Sequence, residues 1–283
     1  MMRGAKPAPA FSAAPSPAPA SRRWLVYVVA GLFCTVLFVI ATLPAYWVDW
    51  LLNRVAPGSV RIHQATGTIW NGTGHLRVHS LGQELLQTGI AWSAQPLWLA
   101  TGKLQLRITG QDPTAPLKAT LRVGYRYLSI QQVDANIPAS LAAVLHPAVS
   151  LVAPTGRLQI VSEQATLTPA GLEGKLQLTW LNAGAGMSGL SELGDYRLAV
   201  NGRGADAELR VETLRGDVRI TAQGQWQTQG EGLIQLSGNL VPGSREQNLR
   251  PLLTMANMQN NNGQYQWTLN NRFPLARIFG SNP

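Results

Sequence analysis

The sequence predicts a mainly β protein: a single N-terminal transmembrane helix, then an elongated, curved, mostly antiparallel β-sheet or groove domain with one or two short helices. Two observations predict it. Trp24 to Leu43 is a twenty-residue run without a charged side chain, and at about 1.5 Å per residue it spans roughly 30 Å, the depth of a bilayer's hydrocarbon core. Beyond Arg54 apolar and polar residues alternate with a period of two, the mark of strands with one buried and one wet face. The chain therefore divides into a Pro/Ala-rich tail (1–23), a membrane span (24–43) and a β domain (44–283).

The tail, rich in Pro, Ala and Ser, has almost nothing to bury and reads as an unstructured leader. It carries Arg3, Lys6, Arg22 and Arg23 and no acid, so four units of the net charge of +9 lie before the span. Arg22 and Arg23 abut the apolar run and no base follows until Arg54. The positive-inside rule then places the N-terminus in the cytoplasm and the β domain on the exported side. Trp24 and Tyr27 at one end, and Tyr46, Trp47 and Trp50 at the other, suit the interfacial belts. A cleaved signal peptide is the competing reading. The apolar core is long for one, and Leu43-Pro44-Ala45-Tyr46-Trp47 is a poor small-x-small cleavage site, so an uncleaved anchor is expected.

Within the domain, alternation is clear in His75–His79, Lys103–Thr109, Arg157–Ile160, Lys175–Trp180, Arg219–Ala222, Leu233–Leu236 and Gln264–Leu269. Six of these neighbourhoods open with Gly-x-apolar-polar-apolar, at Gly74, Gly102, Gly156, Gly174, Gly216 and Gly232. These glycines read as turns that launch the next strand of a meander. Their irregular spacing excludes a propeller or solenoid. Two interruptions read as helical: Pro138–His146, and Ser244–Asn257 with a capping pattern of Ser244 and Gln247 and a kink at Pro251. Asn260-Asn261-Asn262-Gly263 reads as a turn. The segment 273–283 either caps the sheet or hangs free.

The composition excludes several functions. Cys34, the only cysteine, lies in the span, so neither an intrachain disulfide nor a cysteine metal site is available. His75 and His79, four apart on one strand face, stand about 13 Å from each other, too far to share a metal. No HExxH, CxxC or phosphate-cradling loop occurs, and Gly186-Met187-Ser188-Gly189 lacks the nucleophile-elbow spacing. Asp206, Glu208 and Glu212 read as a solvent face. No nucleophile, base and orienting group assemble; an enzyme is not expected, nor any cofactor or metal. The mild, unclustered basic excess of the domain does not suit nucleic acid. Binding remains, either of proteins by a scaffold subunit or of lipid in an apolar groove.

An ordered set of short motifs narrows this. Thr42-Leu43-Pro44-Ala45-Tyr46-Trp47 is followed by Gly67-Thr68-Ile69-Trp70-Asn71-Gly72, by Trp92-Ser93-Ala94-Gln95-Pro96 and by the Gly102-Lys103-Leu104 strand. Leu249-Arg250-Pro251-Leu252-Leu253 and Asn262-Gly263-Gln264-Tyr265 come later. From about Ala41 onward the chain resembles the N subunit of the general secretory pathway, the type II secretion system protein N family. The resemblance implies a non-enzymatic, single-pass inner-membrane protein of a Gram-negative bacterium. Its periplasmic domain would serve a secretin-based machine that moves folded proteins from periplasm to exterior. The implied partners are other secretion subunits, the outer-membrane secretin among the candidates. Pro44, Gly67, Trp70, Gly72, Trp92 and Pro96 are the motif residues with structural or contact roles. Trp70 and Trp92 read as core anchors, and Asn71-Gly72 as a tight turn. The family is also similar in character to AsmA-like envelope proteins, which keeps a lipid-holding or lipid-transferring groove as the alternative.

Overall fold

The computed structural model describes residues 21–55, 58–80, 83–95, 102–113, 115–144, 149, 152–186, 190–255 and 258–273. It falls into two compact units, Met1–Leu43 and Pro44–Pro283. The first contains helix α1 (Ser21–Thr42). Its segment Trp24–Thr42 is long and apolar enough to cross a membrane. The two threonines that interrupt the apolar run keep their hydroxyl bonds inside the helix: Thr35 Oγ1 donates to Gly31 O and Thr42 Oγ1 to Phe38 O, both at 2.8 Å. Neither threonine of the span thereby turns an unpartnered hydroxyl to hydrocarbon.

The second unit is one antiparallel sheet. After helix α2 (Tyr46–Val55) come β1 (Val60–Gly67), β2 (Asn71–Ser80), β3 (Gln83–Gln95), β4 (Lys103–Gly110), β5 (Leu117–Gly124) and β6 (Tyr127–Pro138). They are followed by β7 (Pro154–Ser162), β8 (Ala165–Thr168), β9 (Gly171–Ala185), β10 (Leu190–Gly204), β11 (Asp206–Arg215), β12 (Arg219–Gln227) and β13 (Leu233–Val241). Helix α3 (Glu246–Met255) precedes β14 (Gln259–Asn261) and β15 (Gln264–Arg272). Nearly every strand pairs with its sequence neighbour, as alternation interrupted only by short turns requires. β7 and β8 together fill the row between β6 and β9. β15 pairs with β13, leaving the short β14 as the edge.

Register gathers the apolar positions on one face. Following paired residues across the sheet, Leu76, Trp92, Ile108, Ala119 and Val133 share a face, and so do Ile160, Leu178, Leu198 and Val211. Two helices cover parts of it. Val48 and Leu52 of α2 pack on Ile62, Ile90 and Trp92. At the other end Leu249 and Leu253 of α3 pack on Val218, Leu240 and Tyr265. Between them Leu104, Leu121, Leu178, Leu198, Leu209 and Leu236 stay half-buried. A 3-10 helix, Ala139–Val144, touches β2, β3 and β7. In a flat sheet β2 and β6 would lie about 19 Å apart at ~4.8 Å per strand, so the sheet is bent.

Two sequence expectations are corrected here, the launching glycines and the Ser244 cap. Of the six launching glycines, Gly102, Gly216 and Gly232 precede strands, but Gly74, Gly156 and Gly174 lie within β2, β7 and β9. Gly156 occupies a bulge with φ +97, and a Cβ there would overlap the carbonyls of Leu181 and Asn182. A bulge needs the same residue type as a turn, so the pattern does not separate them. The stretch from Pro138 forms a 3-10 helix, with residues 145 and 146 outside the described residues. Ser244 does not form a capping box with Gln247. It sits in a 3-10 turn, Gly243–Arg245, and gives its N–H (2.8 Å) and its hydroxyl to Asp217 Oδ2.

Candidate functional site

Of the residues singled out in the sequence, Pro44, Gly67, Trp70, Gly72 and Trp92 lie at the β1–β2 corner or directly across from it. Gly67 and Gly72 form the last β1–β2 pair, and Thr68–Asn71 closes the hairpin. Thr68 Oγ1 accepts from the N–H groups of Trp70 (3.2 Å) and Asn71 (3.1 Å), while Thr68 N–H donates to Asn71 O at 2.8 Å. The turn thus lies before Asn71-Gly72, which begin β2, because the threonine hydroxyl supplies the closure expected of Asn-Gly. Gly67 has φ +92 and faces Asn71 O, leaving no room for a side chain. Pro44 bridges Thr68 and Ala45 N–H donates to Gly67 O (3.1 Å), so the segment leading to α2 is stitched to this corner. Asp49 of α2 adds Oδ1 to Ile62 N–H at 2.8 Å and Oδ2 to Arg61 at 3.4 Å. The outer edge of β1 is therefore partly capped, which blunts it against stray strand pairing.

Trp92 lies directly across from Gly72, and its ring occupies the space that a Gly72 side chain would take. It is 7% exposed, packs with Ala45, Ile62 and Ile90, and donates Nε1–H to Thr68 O at 3.2 Å. Trp70 differs. It stands half-buried at the hairpin tip, outside that cluster. Pro96 lies outside the described residues.

The described titratable groups assemble no reaction centre. Burial, with Asp195 adding to it, pushes the Tyr196 hydroxyl up to about 12, and its proton is donated to Val218 O at 3.0 Å. The hydrogen bond to Glu246 Oε1 (2.9 Å) raises Tyr265. Among the described residues no group of three or more His, Cys, Asp or Glu could hold a metal. Asp217 is lowered by its two bonds from Ser244. A folded pKa below the unfolded one stabilises at neutral pH and is lost as pH falls from about 4 through the folded value. Asp217→Asn should flatten the acid-side decline of the melting temperature, read by thermal melts between pH 3 and 7. An unchanged acid limb would show that other carboxylates carry it.

On the opposite, polar face, sequence reasoning missed a feature. Ala199, Arg210, Gln223, Ser237 and Thr268 form one straight cross-strand row over β10 to β15. A second row, Asn201, Glu208, Gln225, Gln235 and Asn270, runs beside it. On the other side stand Thr221, Asn239, Gln266 and Gln259, with Glu212 at the near end. Two adjoining hollows of about 820 Å³ each lie here and share Arg210, Gln223, Ser237 and Thr268. Only register reveals the rows, since their members come from residues 199 to 270.

Comparison with known families decides the affiliation. A family model for the type II secretion system (T2SS), protein N, matches residues 58–268, nearly the whole sheet. The chain belongs to the type II secretion system protein N family. Comparisons with curated proteins and with solved structures found no match. Membership gives the protein an accessory role in type II secretion and makes other secretion subunits its partners; the family is a component of secretion machinery. With one N-terminal apolar helix, the chain fits a single-pass inner-membrane protein.

Proposed function

We propose that this type II secretion protein N acts by binding alone. In this reading α1 anchors it in the inner membrane with the N-terminus cytoplasmic, and the periplasmic sheet holds neighbouring subunits or the secretin. The observation that carries the reading is the family match across the sheet; Arg22 and Arg23 before the span support the orientation. The exposed aromatics of α2, Tyr46, Trp47 and Trp50, suit a water–lipid boundary three residues after α1 ends. Trp70, half-buried at a hairpin tip, is the contact residue of choice, since interfaces favour tryptophan at their centre.

The test is photocrosslinking in cells from a reactive amino acid at position 70, with the captured protein identified, beside secretion and melting of Trp70→Ala. We expect a secretion subunit in the adduct, secretion lost, and a stability loss of only about 1 kcal/mol. A large melting shift with no adduct would return Trp70 to a core role. The lipid-groove reading is kept by one observation, the half-buried leucines between the two helix-covered ends. Phospholipid co-purifying in stoichiometric amount, with no subunit crosslinked, would favour it.

A further inference from the structure

We propose that the polar trough over β10–β15 binds an extended cell-wall glycan bearing carboxylates. From the proposed function it takes only the exported placement of the domain, which is what puts such a glycan within reach. The three rows run across the strands and advance about 4.8 Å per strand, close to the length of one pyranose ring in an extended glycan. A sugar chain lying along a row would therefore meet each strand in the same way. The floor is low at Ala199, Ser237 and Thr268, and the carboxamides beside it form the walls. Hydroxyls and carboxamides both donate and accept, which suits a ligand whose surface is mostly hydroxyl and acetamido groups.

The charge is also specific. Glu212 is paired with Arg197 at 3.1 Å and Glu208 with Arg203 at 3.2 Å. Arg210, between them and shared by both hollows, makes no ion pair among the described residues. A neutral trough is left with one uncommitted guanidinium at its centre, a fork matched to a carboxylate. Murein supplies both parts, a β-1,4 glycan and carboxylates on its substituents.

Isothermal titration of the full chain in detergent with lysozyme-released muropeptides, and with chitotetraose as a backbone without carboxylates, tests this. Saturable muropeptide binding is expected, with chitotetraose about tenfold weaker. Arg210→Gln should remove the difference between the two. Ser237→Trp, on an exposed strand position, should fill the floor and abolish both while leaving the melting temperature unchanged. Absence of saturation with either sugar, equal binding of the two by the unaltered chain, or full binding by Ser237→Trp overturns the proposal. Because titration involves no secretion, a chain that binds muropeptide but plays no part in secretion loses only the proposed function. A chain that crosslinks to secretion subunits and ignores muropeptide loses only the glycan site.

Discussion

Trp92→Ala is expected to lower the stability of the sheet domain by about 3–5 kcal/mol and its melting temperature by on the order of 10 °C. The indole fills the junction of α2 with β1–β3, and no neighbouring side chain can collapse into its place. Gly72 sits under the ring without a side chain, and Val48 and Leu52 are held by a helix that Asp49 fixes to β1. Thr68 O also loses its donor. Gly72→Ala should act on the same cluster from the other side, since its methyl would overlap the indole and crowd Thr66 O. The two substitutions share one contact, so their effects should fail to add. Urea melts of both single variants and the double variant measure this. A Trp92→Ala melt within a degree of the unaltered chain would mean that the indole is not the anchor of this corner.

The meander was legible because each strand announces itself locally. Alternation in Lys103–Thr109 or Lys175–Trp180 needs no partner to be read, and a sheet whose strands pair in sequence order follows from it. What was not legible depends on who sits opposite. Gly156 and Gly174 carry the same short pattern as Gly102, yet only pairing shows that both lie inside strands, Gly156 at a bulge. In Gly67–Gly72 the dipeptide Asn71-Gly72 carries the stronger turn signal, but the hydroxyl of Thr68 closes the loop earlier. Ser244 looked like a cap because the residue that engages it, Asp217, is distant in sequence. The motif residues Pro44, Gly67, Gly72 and Trp92 could be named from sequence. That they meet at one corner could not, because α2 folds back on β1. The trough needed register across five strands, and no local window contains Arg210 together with Ser237 and Thr268.

The anchor leads to the second large effect. Exchanging α1 for a cleavable export signal should release the sheet domain into the periplasm and, at native copy number, remove most of the protein's contribution to secretion. Overproducing the released domain should restore much of it. In the proposed reading, tethering would confine the domain to a thin layer beside its membrane-bound neighbours and raise its effective concentration there, toward the millimolar range for a short link. A contact too weak to form at the dilution of a free periplasmic protein can then form, and mass action reproduces the effect when the free domain is abundant. The readout is the fraction of a secreted enzyme recovered in the medium, with a melt of the released domain confirming its fold. Full secretion by the released domain at native level would remove the tether from the mechanism. A third chain, with α1 replaced by an unrelated apolar span, separates placement from recognition. Secretion by that chain means that α1 only positions the sheet, whereas its failure would mean that the side chains of α1 themselves meet a neighbouring helix.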